Sequence, residues 1–501
     1  MKIFSSSQIK QWDIATINEL GISSLELMEN AAIACVSWLK ARFQKEEHFY
    51  IFCGGGNNGG DGLAITRLLL EAGFPAQAFL LPNPPLSIDT TQNVERLKTA
   101  FPETIFVVDE HLDINRIPPK AILIDAIFGT GLNRPLDGLT QKVVAQINSL
   151  PNKKIAIDIP SGLFTDKLQG SNDTCFFADC TLSFQSYKRS FFFHEAAKYT
   201  GIIHILDIGL SEEFCLKNET SFFALDKNIV SSKYRPRKPF SHKGTFGTAV
   251  IVGGSYGKIG AIILSAKAAL RAGAGKVFVQ APDCGYSAVQ TSVPEAMFMN
   301  VGENIVDSIE LMNGVVMGIG PGLGMELPSR IALESFLKNN ICSVVIDADG
   351  LNIISKNKEK LLPFIPKGSI ITPHPKEFER LFGSTKDSIE RSELAMAKAK
   401  EYSIYIVLKG HHTAICTPTG ECYFNLNGNA GMATPGSGDV LTGIITGLLA
   451  QSYAPKDAAL LGVYLHGLSG DIAAKKKSQE SLIAGDIIKF LGKAFLKIAT
   501  K

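Results

Sequence analysis

The chain has 501 residues, about three times the usual length of a domain, so two or three domains are expected. Its hydrophobic and charged fractions, 45% and 20%, are those of an ordinary soluble globular protein. Lys and Arg number 50 and Asp and Glu 48, and the resulting net charge of +2 gives no electrostatic support for a protein that binds nucleic acid or an anionic membrane.

The first residues, MKIFSSSQIKQWD, lack the apolar core of a signal peptide, and no apolar run approaches the length of a membrane span. The nine cysteines include no CxxC pair, and the spacing of Cys175 and Cys180 fits no common zinc pattern. We therefore expect reduced thiols in a cytoplasmic protein. We further expect a homo-oligomer that acts on small molecules, with no nucleic acid or membrane as partner.

In the first half of the chain, apolar runs of strand length alternate with helical patterns. The runs begin at Phe49, Ala76, Ala121, Lys153, Cys180 and Ile202. They are continuously apolar, as expected of strands that helices cover on both faces. Ser23–Phe43 and Gly60–Glu71 have the apolar spacing of helices. This order predicts an α/β domain with a mostly parallel sheet.

A glycine-rich segment, GGGNNGGDGL (Gly54–Leu63), follows the first of these strands. The strand is expected to end at Cys53 and a helix to start around Gly60. Glycines allow close approach of a ligand, and free N–H groups at a helix start attract phosphate. Asn57 and Asn58 add amide oxygens, which suit a hard cation. A turn that is glycine-rich only for packing is the simpler alternative, but it does not call for these polar groups.

Two more strand ends carry an acidic residue before a turn. Asp125 precedes AIFGTGLNRP, and Asp158 precedes IPSGLF. Either residue alone could be a helix cap or a turn former. Because ligands collect at the carboxyl ends of strands in an open parallel sheet, we expect both segments to converge with the asparagine-rich loop.

The motifs NNGGDGL, DAIFGTGL and DIPSGL, with LMENAA (Leu27–Ala32) upstream, resemble the NAD(P)H-hydrate epimerase family over most of residues 1–215. The resemblance implies that Asp158 is the acid–base residue and that Asn58, Asp125 and Ser161 hold a potassium ion. The residues that it implies contact the hydrated nucleotide are Asn57, Asn58, Gly59, Gly60, Asp61, Gly129, Thr130, Gly131, Leu132, Asn133, Arg134, Pro135 and Asp158. Phe164 stands where the family often has Asp, which leaves the path of that loop open. Epimerisation at the hydroxyl-bearing C6 carbon, by ring opening or by loss and return of water, needs a positioned carboxylate.

A proline-rich, basic segment without periodicity, Ser231–Gly244, separates the two halves. Its composition is typical of a linker. We predict a first domain over 1–225 and a second over 226–501, with the linker at about 226–240.

The second half repeats the alternation with other motifs. Its apolar runs begin at Thr248, Lys276, Gly314, Ser343, Ser369 and Ile404. NAGMATPGSGDVLTG (Asn429–Gly443) is its most informative segment, because the glycines of GSGD precede a helix and present N–H groups at its positive end. Asp439, on the first turn, could accept a hydroxyl proton as that oxygen attacks phosphorus. The alternative is an ordinary helix start with a favourable acidic residue.

Other segments of this half also end strands with polar groups. KGHHT (Lys409–Thr413) fits nucleotide phosphate or ribose, and His374 stands between two prolines that restrain its backbone. Asp347 and Asp349 stand at another strand end, where a place near magnesium and a role in the turn are equally compatible with the sequence.

The end motif resembles the ribokinase-like superfamily and, with GIGPGLG, DADGLN, TPHPKE and KGHHT in order, the NAD(P)H-hydrate dehydratase family over about 240–495. Pro435 replaces a usual glycine. The resemblance implies hydrate contacts at Ala261, Gly322, His374 and Asp439, with Asp439 as the catalytic base. The nucleotide contacts that it implies are Lys409, Gly410, His411, His412, Thr413, Asn429, Ala430, Gly431, Met432, Ala433, Thr434, Pro435, Gly436, Ser437 and Gly438.

Together the resemblances imply an α/β fold with two domains, an N-terminal Rossmann-like three-layer α/β/α sandwich and a C-terminal ribokinase-like α/β/α domain. They imply that the first domain interconverts the R and S epimers of hydrated NADH and NADPH. The second would dehydrate the S form through phosphorylation by ADP, with Mg²⁺ neutralising charge. The alternative is a small-molecule kinase of the ribokinase superfamily with an accessory N-terminal binding domain.

Overall fold

In a computed structural model, which describes residues 1–81, 85–110 and 114–499, the chain divides into two compact units. One is Lys2–Thr220, and the other is Ser221–Lys501 together with Met1. We call them the first and the second unit.

The strands of the first unit are β1 (Lys2–Ile3), β2 (Phe49–Cys53), β3 (Ala76–Leu80), β4 (Ile105–Val107), β5 (Ile122–Ala126), β6 (Lys154–Ile157), β7 (Cys180–Phe184) and β8 (Ile202–Leu206). Its helices are α1 (Ser6–Leu20), α2 (Ser24–Lys40), α3 (Asn57–Glu71), α4 (Ile88–Ala100), α5 (Gly138–Ser149), α6 (His194–Thr200) and α7 (Glu212–Lys217).

The first unit is built on a parallel sheet in the order β4-β3-β2-β5-β6-β7-β8. From β2 the chain moves outward to β3 and β4, and it then returns to place β5 on the other side of β2. The carboxyl ends of β2 and β5 therefore flank the point where the strand order reverses, which is where open α/β sheets bind ligands.

The six strands predicted in this half are present, and their apolar residues form the core on both faces of the sheet. The three-residue strand β4 was not predicted, because it is a short edge strand whose Phe106 and Val107 are exposed. Helix α3 starts at Asn57 and not around Gly60 as expected. The two asparagines thus belong to the first turn of the helix, where no side chain caps the N–H groups at the helix start.

The strands of the second unit are β9 (Phe222–Leu225), β10 (Thr248–Val252), β11 (Lys276–Ala281), β12 (Met297–Asn300), β13 (Val316–Ile319), β14 (Val345–Ile346), β15 (Ile370–Ile371), β16 (Tyr405–Leu408), β17 (Ala414–Cys416) and β18 (Cys422–Asn425). Its helices are α8 (Lys227–Lys233), α9 (Ile259–Ala272), α10 (Tyr286–Ser292), α11 (Leu327–Asn339), α12 (Ala348–Lys356), α13 (Lys358–Leu361), α14 (Pro375–Phe382), α15 (Ser388–Tyr402), α16 (Ser437–Ala450), α17 (Pro455–Lys477) and α18 (Ala484–Ala499).

The sheet of the second unit runs in the order β9-β18-β17-β16-β15-β14-β13-β10-β11-β12. Strands β16 to β12 in this order are parallel, while β17 is antiparallel to both of its neighbours. The loops after β10, β13, β14, β15 and β16 therefore lie at one edge. The α/β fold with parallel sheets that the sequence predicts is confirmed in both units.

Helix α16 is buried along its whole length from Val440 to Ala450. It packs closely on α9, since a Cβ atom at Gly443 would lie 2.1 Å from the carbonyl oxygen of Ser265. The apolar run is thus a core helix of the unit. Among the described residues, no helix is both long and apolar enough to cross a membrane.

Candidate active sites

A cavity of about 1060 Å³ opens at the reversal point of the first sheet. It is lined by the predicted residues Asn57, Asn58, Asp61, Gly129, Thr130, Gly131, Leu132, Asn133, Arg134, Pro135 and Asp158. Gly59 and Gly60 do not line it. They pack beneath it, because a Cβ atom at Gly59 would lie 1.8 Å from the carbonyl oxygen of Gly54 and one at Gly60 would lie 2.6 Å from Sδ of Met28.

Asp158, at the end of β6, holds an unusual backbone conformation, with φ at 64°. A left-handed conformation is uncommon outside glycine and occurs most often where the surroundings impose it. One carboxylate oxygen lies 2.9 Å from Nζ of Lys188, and the other accepts the backbone N–H of Thr130 at 3.2 Å. Lys188 also donates to the carbonyl oxygens of Phe184 and Ser186. The carboxylate is therefore oriented on the cavity wall by a buried cation.

Two further carboxyl groups line the same cavity. Burial, followed by repulsion from Asp158, raises the pKa of Asp13 to about 7, although the Lys188 ammonium opposes the shift. Burial likewise raises the pKa of Asp61 well above its ordinary value, with Asp158 and Asp13 adding to the shift. Like charges in one poorly solvated site disfavour ionisation of all of them together.

Below the cavity, Asp125 and Ser161 form a buried pair. The Ser161 hydroxyl donates to Asp125 at 2.6 Å, and the Ser161 backbone N–H donates to the other carboxylate oxygen at 2.7 Å. Burial raises the pKa of Asp125 to about 6, against these hydrogen bonds. Nearby, Asn58 donates its amide to the carbonyl oxygen of Ile157 at 3.4 Å, but its buried Oδ1 accepts no hydrogen bond from any described residue. A buried oxygen without a donor is a place where a ligand or ion fits.

The sequence did not decide the path of the loop around Phe164. This residue is buried, and the ammonium of Lys167 lies 4.4 Å from its ring centre. The residue packs in the core of its loop and does not line the cavity.

In the second unit, Asp439 lies on the first turn of α16 near a buried ion pair. Burial, followed by repulsion from Asp347, raises the pKa of Asp439 to about 7, against the attraction of Lys409. Lys409 Nζ lies 2.8 Å from Asp347 and 3.7 Å from Glu377. Burial opposes ionisation of Asp347, but Lys409 and the hydroxyl of Thr442, which donates at 2.8 Å, hold its pKa below the ordinary value. Asp439 can thus exchange a proton near neutral pH, and burial also raises the pKa of Glu377.

The GSGD segment forms the start of α16. Gly436 is the N-cap with φ at 87°, a conformation that glycine adopts without strain. A Cβ atom at Gly438 would lie 3.4 Å from Nζ of Lys409 and 3.5 Å from Asp347. The N–H groups of the first turn and the Lys409 ammonium therefore meet at one place, which suits an anion. The helix start is held further by His466, whose Nε2 lies 3.0 Å from the carbonyl oxygen of Ser437.

The predicted hydrate contacts adjoin this group. Ser265 donates to the carbonyl oxygens of Ala261 and of Asp439, at 3.2 and 2.8 Å. A Cβ atom at Gly322 would lie 3.3 Å from that of Ala261. Ala261, on the first turn of α9, and Gly322 are both partly exposed. The structure thus brings Ala261, Gly322 and Asp439 together.

His374 caps helix α14. Its Nδ1 accepts the backbone N–H groups of Lys376 and Glu377 at 3.1 and 3.3 Å, while Glu377 accepts the backbone N–H of His374. Burial, followed by the charge of Lys409, lowers the pKa of His374. The neutral ring therefore stabilises the start of α14. Its Nε2 atom lies 3.4 Å from a carboxylate oxygen of Glu377.

The predicted nucleotide segments follow the ends of β16 and β18. In the Lys409–Thr413 turn, His412 Nδ1 lies 2.9 Å from the carbonyl oxygen of Asn425, and His411 is exposed. Asn429, which begins the second segment, donates to Asp471 at 2.9 Å, and the rest of Ala430–Gly438 is exposed or partly exposed. Pro435 lies next to the left-handed Gly436 and needs no positive φ itself.

Sequence reasoning missed several residues of these sites. They are Asp13, Lys188, Glu377, Thr442, His466 and Asp471. Glu377 and Thr442 stand in the segments TPHPKE and NAGMATPGSGDVLTG but were given no role there, and the other four stand in no recognisable motif. A buried lysine has no sequence signature, although the position of Lys188 shortly after a strand end offers a weak signal.

Comparison with known proteins matches both units. The family described as NAD(P)H-hydrate dehydratase matches residues 249–493, and the family described as YjeF-related protein N-terminus matches residues 24–190. The bifunctional NAD(P)H-hydrate repair enzyme of Moorella thermoacetica is 35% identical over 98% of this chain and 96% of its own length. That of Escherichia coli is 32% identical over 98% of this chain and 93% of its own.

One solved structure is similar to the second unit. It is the ADP/ATP-dependent NAD(P)H-hydrate dehydratase of Bacillus subtilis, co-crystallised with ATP and Mg²⁺. Its sequence is 30% identical, the match covers 56% of this chain and 100% of that one, and the TM-score is 0.50.

Proposed function

Because this chain belongs to the family of bifunctional NAD(P)H-hydrate repair enzymes, we propose that it restores NADH and NADPH from their hydrated forms. The domain over 1–225 interconverts the R and S epimers of the hydrate. The domain over 226–501 dehydrates the S epimer and converts ADP to AMP and phosphate. The two reactions complement each other, because a stereospecific dehydratase alone would leave the R epimer unused.

The observation that carries the dehydratase proposal is the position of Asp439 beside an anion-binding helix start. The amides of GSGD and the Lys409 ammonium bind the transferred phosphoryl group, while Asp439, with a pKa of about 7, accepts the proton of the C6 hydroxyl. The hydroxyl oxygen bonds to the β-phosphorus of ADP as the bond to AMP breaks. Phosphate then leaves C6, a proton leaves C5, and the ring double bond is restored.

This sequence explains why a dehydratase has a kinase-like fold. Hydroxide is a poor leaving group, whereas phosphate is a good one. The carboxylates of Asp347 and Asp349 already accept hydrogen bonds, from Lys409 and Thr442 and from the N–H of Gly324. We therefore assign Mg²⁺ to the phosphates of the nucleotide, where it neutralises charge, and not to a cage of side chains. The segments Lys409–Thr413 and Asn429–Gly438 bind the nucleotide.

In the first domain, Asp158 is the acid–base residue. Its orientation by Lys188 and by the Thr130 N–H keeps one carboxylate oxygen at the cavity wall that the hydrate contacts. Asn58, Asp125 and Ser161 hold the potassium ion. The unpaired buried Oδ1 of Asn58 supports this assignment, because an amide oxygen is a suitable ligand for a hard cation.

The test mixes the protein with Mg²⁺, K⁺, ADP and an equilibrated mixture of NADH-hydrate epimers, and follows the near-ultraviolet absorbance of reduced nicotinamide. Conversion of the whole pool faster than spontaneous epimerisation allows supports the proposal, and absence of recovery refutes it. Replacing ADP by ATP decides the donor. A small-molecule kinase would instead turn over ATP with an alcohol substrate and without the hydrate.

A further inference from the structure

Asp13 projects from α1 into the cavity that also exposes Asp158. Its neighbour Trp12 is buried and donates its ring N–H to the carbonyl oxygen of Ser211 at 2.8 Å, which anchors this turn of the helix. Among the described residues, no group donates a hydrogen bond to the Asp13 carboxyl or forms an ion pair with it. A half-buried carboxyl without a partner, held on a ligand cavity, is a group that is available to a ligand.

The carboxyl groups of Asp13 and Asp158 differ in the charged groups that surround them. Lys188 contacts Asp158 directly at 2.9 Å, so that carboxylate has a counter-charge beside it. Asp13 has no such partner, and Asp158 and Asp61 face it from β6 and α3. Its own helix contributes Lys10 at the cavity wall, while Arg134 and Asp137 line it from the loop after β5.

Burial, followed by the charge of Asp158, raises the pKa of Asp13 to about 7. Asp13 can thus carry a proton near neutral pH, while Asp158 has a counter-charge in Lys188. Two carboxyl groups that share a cavity but differ in their surroundings in this way are the usual arrangement of a general acid with a general base.

We propose that Asp13 is a second acid–base residue of the first site, which donates the proton that the departing C6 oxygen needs. This inference rests on the proposed epimerisation. Asp13 gives its proton to the C6 hydroxyl oxygen, the C6–O bond breaks with its electron pair on the oxygen, and water leaves. The lone pair of the ring nitrogen forms a C=N bond. Water then adds to the other face of C6, and Asp158 accepts its proton, which returns to Asp13 through water in the cavity.

The test compares Asp13→Asn with Asp158→Asn and with the exposed Asp207→Asn as the matched control. For Asp13→Asn we expect the kcat of epimerisation to fall about a hundredfold with little change in KM. Asp13→Glu restores part of the rate, and Asp207→Asn leaves it unchanged. A circular dichroism spectrum and a thermal unfolding curve that match those of the unmodified protein report that the first unit of the Asp13→Asn protein is folded.

The pH profile separates an acid from a structural residue. If Asp13 donates the proton, the epimerisation rate of the unmodified protein falls above about pH 7, and this fall is absent from the residual rate of Asp13→Asn. The infrared difference spectrum between the two proteins should also show a protonated carboxyl band near neutral pH. A rate for Asp13→Asn within about threefold of the unmodified protein overturns the inference, as does the absence of that band.

The rate of the unmodified protein tests the proposed epimerase function independently of the role of Asp13. If the unmodified protein does not exceed the spontaneous rate of epimerisation, the proposed function of the first domain is wrong. If it does exceed that rate and Asp13→Asn matches it, only the role of Asp13 is wrong.

Discussion

The Nζ atom of Lys188 lies 2.9 Å from Oδ1 of Asp158, and the two residues are only 1% and 7% exposed. A buried pair of this kind is expensive to desolvate, and removing one partner leaves a charge without compensation. The pair therefore lies in the first site because Lys188 orients Asp158 and supplies its counter-charge, and not because it adds much net stability.

Lys188→Met tests this interpretation. We expect the free energy of unfolding to fall by about 3 kcal/mol, because Asp158 loses its counter-charge in a buried place. Epimerisation should fall with it, whereas dehydration of the S epimer should persist below the unfolding temperature. The double variant Lys188→Met/Asp158→Asn should recover stability without activity. If Lys188→Met alone keeps full epimerisation, the pair does not serve the reaction.

Asp439→Asn should lower the dehydration rate by at least about a hundredfold, because the amide cannot accept the hydroxyl proton. Dehydration by the unmodified protein should rise with pH through about 7 as Asp439 ionises. Full dehydration by Asp439→Asn would refute phosphorylation assisted by this residue. Rates at several pH values with the pure S epimer provide the measurement.

Asp439→Asn should lower the dehydration rate but raise the stability of the folded protein at neutral and higher pH. The folded pKa of Asp439 is raised to about 7 from its ordinary value of 3.8, so the folded state binds the proton more tightly, and stability falls as pH rises through this interval. Asp439→Asn removes that loss. Its melting temperature should exceed that of the unmodified protein above about pH 7 and match it in acid. Equal melting temperatures across the range would show that Asp439 carries no desolvation cost.

Replacing K⁺ by a larger organic cation should slow epimerisation and leave dehydration of the S epimer unchanged, because the proposed potassium ligands lie in the first domain only. Asn58→Leu keeps the side-chain size and removes the unpaired Oδ1. We expect its residual epimerisation to be insensitive to K⁺, and the K⁺-dependent rise in melting temperature to disappear. Epimerisation that is unaffected by the cation in the unmodified protein would remove the potassium assignment.

His374 allows a capping role to be separated from a substrate contact. His374→Ala should cost about 1 kcal/mol in unfolding free energy, because α14 loses the acceptor for its first N–H groups. His374→Asn supplies another good cap and should restore most of that loss. If His374→Asn has normal stability and a raised KM for the hydrate, the ring contacts the substrate. Normal kinetics in the asparagine variant would limit His374 to the helix cap.

The strand-end carboxylates show what could be predicted. Asp125, Asp158 and Asp347 follow continuously apolar runs, and the carboxyl ends of parallel strands meet at one edge whatever the details of packing. The edge strands β4 and β12 and the strands β1, β9, β17 and β18 were not predicted. Several are only three or four residues long, so they carry too few residues for a periodic pattern to be distinguished from a loop.

Residue roles were harder to predict than elements. Gly59 and Gly60 stand within the glycine motif, but the start of α3 at Asn57 turns them into the packing beneath the cavity. His374 was expected to have a functional role, but in the structure its ring also accepts hydrogen bonds as the N-cap of α14. For the two glycines, a shift of a few residues in the start of α3 decided which residues line the cavity.

The sequence by itself determined the two α/β halves, the loops at the carboxyl ends of their strands and the family of the chain, because these follow from local apolar patterns and from motifs of adjacent residues. Only the tertiary structure decided the protonation of the sites. The pKa values of Asp13 and Asp439, raised to about 7, arise from burial and from charges that distant segments bring close. Desolvation and Coulomb interaction depend on distance in space, and a buried partner such as Lys188 leaves no pattern in the sequence from which that distance could be read.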